Sequence, residues 1–244
     1  ERGEDIEFDQ FEGADDADYD LFINYYDDCW QALQEKNIAE AERLLTEAEG
    51  LFIYHPAMEI CRGYLYVLRE QQDTAAEHME ALYKRYPEDD MVGYHTAEIF
   101  WKLEKRDRAA EIFEGLKERN EKHYMANVRL TQWYYDAERY KEAKKCAENV
   151  LAVGADDTFM ETLTKVNAML EQDLWDSWKK EQNWEAALEL CWCYLQDGAT
   201  SRGLRLARKI EAFITDEKQA EYAGLLAKLL IEQAEYEEAI RMSD

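Results

Sequence analysis

Proline is almost missing from this chain and glycine is scarce: two Pro and ten Gly stand among 244 residues. Sandwiches and barrels need many tight turns, so so few turn formers exclude them and leave an all-α chain as the expectation. Basic side chains are also in short supply. With 29 Lys and Arg against 55 Asp and Glu, the formal charge is −26, which excludes nucleic acid and anionic membrane surfaces as natural partners because both need clustered cations. No run approaches the roughly 20 uninterrupted apolar residues of a membrane helix. Glu1-Arg2-Gly3-Glu4-Asp5 lacks the basic-then-apolar pattern of a signal peptide, and a start at Glu suggests that an upstream segment belongs to the natural protein.

Catalytic and metal motifs are equally sparse. There is no G-x-S-x-G, no Gly-rich phosphate loop, no H-E-x-x-H and no C-x-x-C. Cys191-Trp192-Cys193 separates two thiols by two positions, whereas helix neighbours meet at three or four, so it reads as two thiols on different sides of a helix. The four histidines, His55, His78, His95 and His123, fall in separate segments and read as solvated or capping. Asp16, Asp18 and Asp20 alternate as at the start of a calcium loop, but Leu21 stands where the required Gly would be. Carboxylate pairs such as Glu237 and Glu238 read as solvated helix faces. The expectation is therefore no enzyme, no cofactor and no metal.

What the chain does have is apolar content of 47%, enough for a core. Its five Cys, Cys29, Cys61, Cys146, Cys191 and Cys193, are odd in number and lie inside helical patterns, as expected of reduced, buried thiols in a cytoplasmic protein. Residues 1–20 carry ten acidic side chains and one Arg and read as an acidic linker or tail. Beyond it the chain repeats itself. Ala41, Ala75, Ala109 and Ala143 are spaced 34 residues apart, each shortly after a polar break, and each is followed by apolar residues at helical spacing, as in Ala41, Leu45 and Ala48 or Ala109, Phe113 and Leu116. A preceding helix carries its own stripe, such as Gly63 and Tyr66, or Ala97 and Phe100.

Paired helices with this period resemble the tetratricopeptide (TPR) family, whose pattern is W-x2-L-G-x2-Y…A-x3-F…P. The matching residues are Tyr25, Cys29 and Ala32; Gly63, Tyr66, Ala75 and Pro87; Ala97, Phe100, Ala109 and Phe113; and Leu130, Tyr134 and Ala143, while Glu59, Gly93 and Asn127 replace the leading aromatic. The resemblance implies an α-solenoid of stacked antiparallel helix pairs, about 12 helices wound into a right-handed superhelix. Residues 21–157 form four regular units, and residues 158–244 form irregular pairs with one long helix over 158–181 and an additional helix over 201–214. Trp184-Glu-Ala-Ala187 looks like the start of a second helix, but Leu190, Cys191 and Tyr194 fit a first helix equally well.

In this family the first helix of each pair lines a concave binding surface. The resemblance thus selects Tyr26, Trp30 and Leu33; Ile60, Tyr64 and Val67; Tyr94, Glu98 and Trp101; and Val128, Gln132 and Tyr135 as partner-binding residues. The stripe is rich in Tyr and Trp, which dominate binding hot spots, although aromatics at helical spacing are as often inter-helix core. The family's carboxylate clamp is absent, because Tyr26, Trp30, Cys61, Met91 and His95 stand where its cations would. The expected function is a non-enzymatic protein-binding scaffold whose ligand has apolar anchors and, given the acidity of the chain, basic flanks. The alternative is a structural module in which residues 158–244, with Trp175, Trp178, Trp184 and Trp192, self-associate or pack on another domain of a larger, catalytic or co-chaperone protein, and a homo-oligomer is compatible with it. Two basic clusters, Lys102, Lys105, Arg106 and Arg108, and Arg202, Arg205, Arg208 and Lys209, interrupt the acidity.

Overall fold

Each helical hairpin turns on a single residue in the left-handed region. In the computed structural model, which describes residues 16–51, 55–154 and 157–241, Lys36, Glu70, Glu104 and Glu138 all have φ between 58° and 61° and stand 34 residues apart. Gln182 and Ala234 (φ 55° and 60°) and Gly198 (φ 72°) adopt the same conformation. At Lys36 the Lys36 N–H donates to the Leu33 carbonyl and the Asn37 N–H to that of Ala32, a helix stop that satisfies two otherwise orphaned carbonyls; the pattern repeats at Glu70, Glu104, Glu138 and Ala234. The next helix starts two residues later. Five residues after the corner comes a small buried side chain where the two helices cross: Ala41, Ala75, Ala109, Ala143, Ala187, Gly203 and Ala239.

The described residues form thirteen α-helices, α1 to α13, and two 3-10 turns, with no strand. They divide into two units, Glu1–Trp133 and Tyr134–Asp244. The first unit holds α1 (Asp16–Gln34), α2 (Ile38–Glu49), α3 (Pro56–Leu68), α4 (Gln72–Arg85), α5 (Asp90–Lys102), α6 (Arg106–Arg119) and most of α7 (Tyr124–Asp136). Residues 1–15 of the acidic leader lie outside the described residues, and α1 already begins at Asp16. Side chains set several other starts: Asn37, His55 and Asp89 accept the backbone N–H of Glu40, Ala57 and Val92 to cap α2, α3 and α5. Pro56 sits at the first helical position, where its missing N–H costs nothing. The first helices of successive pairs touch one another, α1 on α3 and α3 on α5, so they form a continuous layer, with α2, α4 and α6 packed against it.

Among the described residues, two apolar clusters fill the part of this unit made by α1 to α5. Phe22, Cys29, Ala41, Leu45 and Ala57 anchor one, and Ile60, Ala75, Met79, Val92 and Ile99 the other. Gly63 lets α3 and α4 approach closely: a Cβ there would lie 2.4 Å from the Met79 sulfur. Four of the five cysteines are buried and all five are free. Among the described residues no helix is long and apolar enough to cross a membrane.

The second unit contains α8 (Tyr140–Val153), α9 (Asp157–Glu181), α10 (Trp184–Gln196), α11 (Thr200–Ile210), α12 (Gln219–Glu232) and α13 (Tyr236–Arg241). Here the ambiguity at Trp184-Glu-Ala-Ala187 has a structural cause. α10 follows the Gln182 corner, with Ala187 as its crossing residue against α9, and it precedes the Gly198 corner, with Gly203 as the crossing residue against α11. It is the second helix of one hairpin and the first of the next. Trp175, Trp178, Trp184 and Trp192 are half-buried against the core made by Leu190, Cys191, Ile210, Tyr222 and Leu229.

Candidate functional site

The layer of first helices in the first unit carries an aromatic cluster centred on a histidine. The Trp30 and Tyr64 rings meet edge to face with centroids 5.2 Å apart, and the His95 ring packs on both, at 5.3 Å from Trp30 and 5.7 Å from Tyr64. Tyr94 closes the far side at 4.9 Å from His95. The Tyr64 hydroxyl and His95 Nδ1 share a hydrogen bond of 3.1 Å. Burial disfavours the charged forms of both: it holds the imidazolium down to a pKa of about 4 and pushes the Tyr64 phenol well above its usual value. The cluster is therefore neutral at physiological pH and its rings hold one another in place.

This cluster forms one wall of a groove of about 400 Å³. Trp30, Leu33, Gln34 and Lys36 line it from the end of α1 and its corner, Tyr64, Val67 and Leu68 from α3, and Tyr94, Glu98 and Lys102 from α5. Its volume lies within the ~300–1,000 Å³ range of ligand-sized sites. The lining's one carboxylate, Glu98, is 5% exposed and accepts two hydrogen bonds from Arg129, at 2.6 and 2.8 Å. Those bonds raise the pKa of the guanidinium and neutralise the carboxylate. Arg129 also lies 5.4 Å from the centroid of Trp101, and Arg106 lies 5.3 Å from it.

Of the residues selected from the sequence, Trp30, Tyr64, Tyr94 and Glu98 come together on this groove, with Leu33 and Val67 from the same stripe. Two belong to the core instead. Ile60 is 1% exposed among Ala75, Met79 and Ile99, and Tyr26 is 8% exposed against Trp30, so neither offers appreciable surface to a ligand. Trp101 packs on Phe113 and under two guanidinium groups, outside the groove lining. Gln132 is exposed away from that lining, and Tyr135 meets Tyr140 within the second unit. Residues that the stripe missed are Gln34, Lys36, Leu68 and Lys102, all at the last turn of a first helix or at its corner. His95 was missed as well. His55 and His123 do cap helices, accepting the N–H of Ala57 and Ala126, but His95 is neither a cap nor a solvated ring.

The sign of the lining also departs from the expectation drawn from total charge. Lys36 and Lys102 are its only unpaired charges, so the ten lining residues are locally cationic. Basic side chains elsewhere, such as Arg43, Arg62, Arg69, Arg108 and Arg119, are paired with carboxylates. A smaller pocket of about 350 Å³ in the second unit, between Trp184, Glu189, Trp192 and Glu221, is served by the chain's own cations: Lys141 pairs with Glu189, Lys218 with Glu221, and Lys228 lies over Trp192.

With its corners, crossing residues and layered first helices, the described chain is an all-α array of antiparallel helical hairpins. No family model matches it, and no curated protein does. Among solved structures it is similar to a tetratricopeptide repeat protein from Parabacteroides merdae, at 15% identity over 91% of each chain with a TM-score of 0.49. The C-terminal part of a TPR repeat-containing protein from Cytophaga hutchinsonii is 15% identical over 88% of this chain and 89% of that one, with a TM-score of 0.47. MamA AMB-1 is 16% identical over 79% of this chain and 98% of that one, with a TM-score of 0.42.

Proposed function

We propose that this chain is a non-enzymatic protein-binding scaffold, and that the groove between α1, α3 and α5 holds a peptide segment by one or two apolar anchor side chains. The observation that carries this reading is the open volume of about 400 Å³ bordered by Trp30, Leu33, Tyr64, Val67, Leu68 and Tyr94 on three consecutive first helices. The edge-to-face contacts among Trp30, Tyr64 and His95 lock the rings before any ligand arrives, so an anchor is buried with little further loss of side-chain freedom. Five free thiols suit a reducing compartment, which supports the cytoplasm as the place of action.

Val67→Trp tests the reading, because Val67 lines the groove while remaining half-exposed, and a larger ring there takes up the anchor's space. Proteins retained from lysate by the wild-type chain should be lost by the variant while helical circular dichroism is unchanged. Retention of the same set by both would remove the groove as the working surface.

A further inference from the structure

Lysines in this chain have no shortage of partners, since 55 acidic side chains face 29 basic ones. Lys36 and Lys102 nevertheless form no ion pair among the described residues, and both line the same groove, one from the α1–α2 corner and the other from the last turn of α5. The carboxylate within reach of that space, Glu98, is already committed to Arg129 through two hydrogen bonds. We propose that the groove selects an acidic peptide, one whose aromatic or aliphatic anchor is flanked by carboxylates that pair with Lys36 and Lys102. This rests on the groove being the binding surface and adds the charge of its occupant.

Two electrostatic scales oppose each other at this groove. The net charge of −26 acts at long range and is screened beyond about 8 Å at physiological salt, whereas two unpaired ammonium groups at the groove act by direct contact. A lysine or arginine beside the anchor would meet Lys36 and Lys102 and no uncommitted carboxylate in the lining. An aspartate or glutamate there gains two partners that nothing else in the described chain has taken. The apolar lining between them supplies the anchor site, and the distant acidity repels acidic ligands that lack an anchor, so both features are required for binding.

A phage-displayed library of random peptides, panned on the full chain with Val67→Trp as the counter-selection, tests the inference. The expected clones depend on an unplugged groove and carry Asp or Glu next to Phe, Trp, Tyr or Leu. A synthetic peptide of their consensus should lose about tenfold in affinity for the Lys36→Gln, Lys102→Gln double variant, as two exposed ion pairs predict. Clones that depend on the groove but are enriched in Lys or Arg would overturn the charge assignment and leave the groove standing. Clones that bind Val67→Trp as well as wild type, or no enrichment at all, would overturn both.

Discussion

Replacing His95 with Gln should flatten the acid response of the fold. In the native state the imidazole is packed against Trp30 from α1, Tyr64 from α3 and Tyr94 from its own helix, and burial lowers its pKa from the ordinary 6.5 of a histidine to about 4. The unfolded chain therefore takes up a proton near pH 6.5 that the folded chain refuses until about pH 4. Stability is lost as pH falls through that window and is constant with respect to this group below it. Integrating over the two pKa values gives a loss of roughly 2 kcal/mol between pH 7 and pH 5, reduced to about 1–2 kcal/mol because the ring retains some contact with water. His95→Gln keeps a neutral hydrogen-bond acceptor beside the Tyr64 hydroxyl but does not titrate. Urea unfolding followed by tryptophan fluorescence at pH 7 and pH 5 measures the difference. Wild type should lose about 1–2 kcal/mol more than the variant over that interval. Carboxylates and His55 titrate in both proteins and cancel in the comparison. Equal losses in the two, or an imidazole that titrates near 6.5 in the NMR spectrum of the native protein, would refute the account of the cluster.

Two further substitutions probe the parts that support the groove. Gly63→Ala puts a methyl group 2.4 Å from the Met79 sulfur and 3.0 Å from Ile99 Cδ1, so thermal melting should show a loss of about 1–3 kcal/mol despite the better helix propensity of Ala. Pairing it with Met79→Ala should cost less than the sum of the two changes. Arg129→Met strands the buried Glu98 carboxylate. It should destabilise the chain by about 2–3 kcal/mol at pH 7, and most of that loss should be recovered in Glu98→Gln/Arg129→Met.

The hairpins were legible in the sequence because every one needs a small residue where its helices cross. Ala41, Ala75, Ala109 and Ala143 are that residue, and their constant spacing exposed the architecture before any contact was known. The corner residues were not legible, since Lys36, Glu70, Glu104 and Glu138 adopt a conformation that favours Gly and no propensity points to it. Period alone could not resolve α10 either, as Ala187 and Cys191 satisfy two hairpins at once. At the site, a helical stripe found Trp30, Tyr64, Tyr94 and Glu98 because they share one face. It took Ile60 and Tyr26 with them, as a stripe does not distinguish a face turned to solvent from one turned to a neighbouring helix. Lys36 and Lys102 were hidden because their meaning depends on helices far apart in the chain closing around one space, and on Arg129 having already engaged Glu98.

The corner that recurs at Lys36, Glu70, Glu104 and Glu138 carries its own hydrogen bonds and its own crossing residue, so it depends little on which hairpins stand on either side. Length in the regular part of such a chain is thereby quantised. A duplication or excision of 34 residues between two equivalent corners changes how many hairpins there are and leaves the kind of contact between neighbours intact, whereas a gain or loss of one or two residues breaks the register for everything that follows. Growth in whole copies is the route of least resistance for this architecture.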